Sequence, residues 1–97
     1  ISDNLRFSNG ITVPGPMVVH IFRLFSQVSN YQLVQYSEDG IDVNIVKGHN
    51  FTSDTETKLK KILEYNCGTN VNVNIKYVDE IRKTEAGKKQ VIIVKKN

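Results

Sequence analysis

IDVNIVKGHNFTSDTETKLKKILEYNCGTNVNVNIKY, Ile41 to Tyr77, reads as a strand, a helix and a second strand in succession. In its first segment Ile41, Val43 and Ile45 alternate with Asp42 and Asn44, the period-two pattern of a strand buried on one face. In its last, Val71, Val73, Ile75 and Tyr77 share one face and Asn72, Asn74 and Lys76 take the other. Between them Ser53 and Glu56 have capping-box spacing, and Leu59, Ile62 and Leu63 form the apolar stripe of a helix. Gly68 is a natural stop for it.

Working outward, YQLVQY (residues 31–36) is a strand joined to IDVNIV by the turn SEDG, which makes a hairpin. Upstream, Met17, Val18, Ile21, Phe22 and Phe25 recur at helical spacing, with His20 and Arg23 toward solvent. That spacing predicts a helix from Gly15 to Gln27, entered through the prolines at 14 and 16. RFSNGITV, residues 6–13, carries Asn9-Gly10 between apolar flanks and predicts a small hairpin, because this pair readily takes the positive φ of a tight turn. Residues 91–94, all apolar, make a short final strand. The order is βαββαβ with an N-terminal hairpin and an extra C-terminal strand. Such an order puts both helices on one face of a mainly antiparallel sheet. The fold class is therefore α+β, a ferredoxin-like two-layer α/β sandwich. The uncovered face would carry Asp42, Asn44, Asn72, Asn74 and Lys76.

The chain has 97 residues, 39% hydrophobic and 24% charged, the composition of one ordinary globular domain. No apolar run approaches the roughly 20 residues of a membrane span. The first residues lack the basic-then-apolar character of a secretory signal. A cytoplasmic location without membrane partners is expected. Cys67 is the lone cysteine and has no cysteine or histidine at ligand spacing, so a reducing compartment, a structural thiol and no metal site are expected. His20 and His49 do not pattern as a catalytic dyad. A net charge of +3 is a mild excess without a basic stripe, and the polar positions of IDVNIV and VNVNIK offer no aromatic rings for base stacking. No nucleic-acid partner is expected.

The segment YVDEIRKTEAGKKQVIIVKK, residues 77–96, includes a polar stretch with no period from about Asp79 to Lys89, and connections of that length in compact domains are more often functional than idle. It resembles the C-terminal signature of adenylate-forming enzymes, an apolar strand, an Ile-Pro-Arg-Thr-like segment, a small residue, Gly-Lys and a last strand. Thr84, Ala86, Gly87 and Lys88 fall on that pattern in order. SDNLRFSNGITVPG, residues 2–15, is similar to the hinge-proximal stretch of the phenylacetate-CoA ligase-like, capsular-biosynthesis-type branch. Asp3, Leu5, Asn9, Gly10, Val13 and Pro14 take its marked places. The resemblance spans essentially the whole chain. Arg82 stands in place of the usual proline, Gln90 in place of a basic residue, and Ser2 at the first hinge position.

The resemblance implies a mobile C-terminal lid domain, starting at a hinge at Ser2 and Asp3, of an ATP-dependent acid–thiol ligase. Its partner would be the N-terminal adenylation domain of the same parent chain, which holds the phosphate loop and the acyl pocket. ATP, coenzyme A and a carboxylic acid are the implied substrates, with Mg2+ bound alongside ATP outside this domain. Lys88 is the implied catalytic residue for adenylation. Gly87, Asn9 and Gly10 are the implied cofactor-binding positions, the latter two near coenzyme A in a second orientation. The domain alone would be inactive, and a homodimeric parent is compatible with the sequence.

Physical chemistry supports a lysine in that role. Attack of one anion on another builds charge on phosphoryl oxygens, which a positioned ammonium in a water-poor cleft stabilises. A glycine beside it lets backbone turn sharply or approach a ligand closely. The alternative is a small-molecule-sensing regulatory domain of βαββαβ order without catalysis.

Overall fold

The computed structural model describes residues 4–83, 87 and 89–95. Strands β1 (Asn4–Arg6) and β2 (Thr12–Pro14) form a hairpin, followed by α1 (Gly15–Phe22), β3 (Val28–Ser37), β4 (Gly40–Lys47), α2 (Ser53–Cys67), β5 (Asn72–Tyr77) and β6 (Ile92–Val94). The architecture is α+β and roughly ferredoxin-like, with two helices and two sheets. The larger sheet has the order β5-β4-β3-β6, and β1-β2 is a separate two-stranded sheet.

Alternation in the strands decides which face is covered. Leu33, Ile41, Val43, Ile45, Val73 and Ile92 point into one core with Val18, Ile21 and Phe22 of α1, Leu59, Leu63 and Cys67 of α2, and Leu5 and Val13 of the hairpin. Both helices and the hairpin thus lie on the same side. Burying each such aliphatic side chain contributes about 1.5–3 kcal/mol. Gln35 also points inward, and its amide donates to the carbonyls of Arg6 (2.9 Å) and Glu38 (3.1 Å), which ties β1 to the sheet.

Four details differ from the sequence expectation. The larger sheet is mixed rather than mainly antiparallel: β3 and β4 are antiparallel, while β4–β5 and β3–β6 are parallel. Strand β2 pairs with β1 outside that sheet, and β6 takes the place beside β3. Helix α1 ends at Phe22, not Gln27. Beyond it the chain tightens into three-residue turns, Leu24 to Ile21 and Phe25 to Phe22, and β3 pairing starts at Val28. Helix α2 is capped one residue earlier than its spacing suggested, by Thr52, whose hydroxyl accepts from the Thr55 N–H while the Thr55 hydroxyl accepts from the Thr52 N–H. Ser53 and Glu56 are left inside the first turn.

Candidate functional site

Strands β5 and β6 occupy opposite edges of the larger sheet, so the chain joining them must span β4 and β3. At about 4.8 Å per strand spacing this is roughly 14 Å, which accounts physically for a connection this long. The helices cover one face, and the strap crosses the other. Its residues Val78, Glu80, Ile81, Arg82 and Lys83 face Gln32, Asn44, Ile93 and Gln90 across an open groove of about 410 Å³. Arg82 and Lys83 are exposed and give the groove a cationic rim.

Gly87 lies on this strap with φ +75°, and a side chain there would meet only open space. A positive φ is the conformation glycine adopts without strain. Immediately downstream the chain is fastened to β3. Gln32 donates its amide to the Gln90 carbonyl (2.9 Å), and the Leu33 N–H donates to the Val91 carbonyl (2.9 Å). The Lys89 ammonium sits 3.4 Å from the centroid of the Tyr31 ring. Lys89 is exposed overall, and partial desolvation of its ammonium lowers its pKa below the usual lysine value. Tyr31 in turn stacks on Phe22, centroids 3.9 Å apart and planes 4° from parallel.

The hairpin tip is at the other end of the sheet. Gly10 donates to the Phe7 carbonyl and Phe7 to the Ile11 carbonyl, both at 3.1 Å, so three residues make the turn. Within this turn Gly10 takes the positive φ, +87°, as the Asn9-Gly10 signal for a hairpin expects. The Asn9 side chain is held from three directions: its amide donates to the Cys67 carbonyl and to Asn70 Oδ1, both at 2.8 Å, and its oxygen accepts from the Ile11 N–H at 2.9 Å. Ser8 donates both its N–H (3.0 Å) and its hydroxyl to the Asp39 carboxylate. Those two bonds hold the Asp39 pKa below its ordinary value.

Among the expected site residues, Asn9, Gly10 and Gly87 are described, and Ser2, Asp3 and Lys88 lie outside the described residues. Asn9 and Gly10 pack beside the β3–β4 turn, whereas Gly87 belongs to the strap at the start of β6; the fold does not bring the two sets together. From Gln32 to Ser37 alone β3 runs roughly 17 Å. Sequence reasoning missed Tyr31, Lys89, Ser8 and Asp39, whose partners are remote in the chain. The open sheet face carries Asp42, Asn44, Asn72, Asn74 and Lys76 as expected, with Lys76 paired to Asp42 at 3.1 Å. It also carries Tyr36, whose hydroxyl accepts from Asn74 at 2.9 Å. Among the described residues no group of three or more His, Cys, Asp or Glu could hold a metal ion. No helix of the described residues is long and apolar enough to cross a membrane.

The family model of the CapK C-terminal domain matches residues 5–95, a span that takes in the hairpin tip, both helices and the whole strap. The chain belongs to the CapK C-terminal domain family. Membership is consistent with the C-terminal domain of an adenylate-forming, ligase-type enzyme. No curated protein matches the chain.

Proposed function

We propose that this domain is the mobile C-terminal lid of an adenylate-forming acid–thiol ligase of the phenylacetate-CoA ligase-like branch. In one orientation the strap presents Lys88 to ATP and a carboxylate held by the N-terminal domain. A carboxylate oxygen bonds to the α-phosphorus as the bond to pyrophosphate breaks, and the Lys88 ammonium stabilises the charge gathering on the phosphoryl oxygens. In the other orientation the hairpin tip with Asn9 and Gly10 faces the site. The coenzyme A thiolate then bonds to the acyl carbon as AMP leaves. Mg2+ accompanies ATP on the N-terminal domain, and Ser2 and Asp3 form the hinge.

The observation that carries this reading is the separation of the two sets of residues. Asn9 and Gly10 stand at one end of a rigid sheet and Gly87 at the other. A single docking pose cannot present both ends to one active site, so a domain that uses both must turn. Both glycines have positive φ and open space where a side chain would be, which leaves room for a ligand or a partner's backbone to approach.

The test is Lys88→Ala in the full-length protein that carries this domain, with the two half-reactions assayed separately. Carboxylate-dependent pyrophosphate release should fall by on the order of 100- to 1,000-fold. Thioester formation from presupplied acyl-adenylate should be largely spared. Equal loss of both steps would refute the role given to Lys88.

A further inference from the structure

We propose that Tyr31 and Lys89 form a clamp that positions the strap by holding residue 89 against β3, in support of the role proposed for the lysine before it. The inference rests on the function proposed above for Lys88 and adds two positioning residues to it.

The geometry is a three-layer stack. Phe22 covers one face of the Tyr31 ring at 3.9 Å, so the Lys89 ammonium, 3.4 Å from the same centroid, occupies the opposite face. Phe22 is in the core, 5% exposed, and its position is set by α1. Tyr31 is fixed in β3 by pairing with Ile45. The ammonium is therefore seated against a ring that is itself immobilised from behind. Two further bonds follow at once, Gln32 to the Gln90 carbonyl and Leu33 to the Val91 carbonyl. Residues 89 to 91 are thus fastened to β3 one after another, through a ring contact, a side-chain bond and a backbone bond. On the upstream side Gly87 supplies the sharp backbone turn.

A lysine cation over an aromatic face is favourable even at an exposed site, and here the contact also ties residue 89 to β3. Here Lys89 stays exposed overall, and its ammonium is only partly desolvated where it meets the ring. The cation also works as a spacer: its long stem sets the distance of the backbone at 89 from the core. Neither residue touches substrate in this scheme. Both act on the reaction through the lysine beside them.

The experiment compares Lys89→Met, which keeps the stem and removes the charge, with Lys89→Arg, which keeps a cation able to stack on Tyr31, in the full-length protein. Loss of a cation–ring contact should lower kcat for adenylate formation roughly 2- to 30-fold in Lys89→Met. KM for ATP and the rate of thioester formation from presupplied acyl-adenylate should stay unchanged, and Lys89→Arg should recover most of the lost rate. Tyr31→Leu should fall in the same range and add nothing when combined with Lys89→Met. Should Tyr31→Leu fail to fold, the Lys89 pair still decides. Equal loss of both half-reactions, a Lys89→Arg variant as slow as Lys89→Met, or no change in either would overturn the clamp. Lys88→Ala run alongside separates the two proposals. If it abolishes adenylation while Lys89→Met has no effect, only the clamp falls; if it leaves adenylation intact, the assigned function falls and the clamp with it.

Discussion

The side-chain amide of Asn9 donates a 2.8 Å hydrogen bond to the backbone carbonyl of Cys67, joining the hairpin tip to the last turn of α2. That carbonyl is one of the four a helix leaves unpaired at its C-terminus, so Asn9 completes a cap from 58 residues away. Gly68 follows Cys67 with φ +110°, and a side chain there would overlap the Asn9 amide. Whatever the tip does for a ligand, its conformation depends on this contact.

Asn9→Ala should lower stability by about 1–2 kcal/mol, since it strands a carbonyl and a turn N–H together. For a domain of this size each kcal/mol moves the melting temperature by about 4–8 °C. Gly68→Ala should also destabilise, through both the overlap and the backbone angle. The double variant should be less impaired than the two losses added, because removing the Asn9 amide relieves the overlap. Thermal melts of the four proteins test this.

Asp39 gives a prediction in pH. Its folded pKa is depressed by the hydroxyl and then the N–H of Ser8, so the stability it contributes is fully present above the unfolded value of 3.8. That contribution fades as pH falls through the lower folded value. Urea midpoints for the protein and for Asp39→Ala, measured from pH 6 down to about 2.5, should therefore converge at the acid end. Midpoints that stay parallel throughout would refute the assignment.

Burial pushes the Cys67 thiol up to about 11, and the residue is 1% exposed. Since the thiolate is the reactive form, Cys67 should resist a disulfide reagent at pH 8 in the folded protein and react at once in denaturant. The rate of labelling should track the population of open molecules. Fast labelling without unfolding would contradict the packing of α2.

At Gly87 the requirement is for a backbone angle, since no atom crowds the position. The rate of adenylate formation should follow the tolerance of each residue for positive φ: Gly87→Asn mildly impaired, Gly87→Ala more so, Gly87→Val most. A ranking by side-chain volume, with Gly87→Ala faster than Gly87→Asn, would instead point to steric exclusion by a partner.

The parts of the fold that were legible in the sequence are those whose signal is local. β4, α2 and β5 announce themselves because Ile41, Val43 and Ile45, then Leu59 and Leu63, then Val73 and Ile75 repeat at the periods of their own elements. The mixed sheet was not legible, because the pairing of Leu33 with Ile92 and of Ile41 with Val73 depends on partners that no local period specifies. The shifted cap has a similar cause: Thr52 and Ser53 both carry capping hydroxyls, and the extended backbone at Thr52 decides between them. The motifs that singled out Asn9, Gly10 and Gly87 as candidates place them on exposed loops. Tyr31 read as an ordinary strand residue, and only the folded strap brings it into contact with the exposed Lys89.

Because β6 pairs in parallel with β3, Leu33 opposite Ile92, its docking closes a long loop and belongs late in folding, after the β3–β4 hairpin and the β4–α2–β5 unit have formed. The strap is dragged into position by that final step. During synthesis, the segment proposed to carry the catalytic lysine would acquire its shape only once the scaffold beneath it had consolidated, so a nascent chain cannot display an armed loop on an unfinished body.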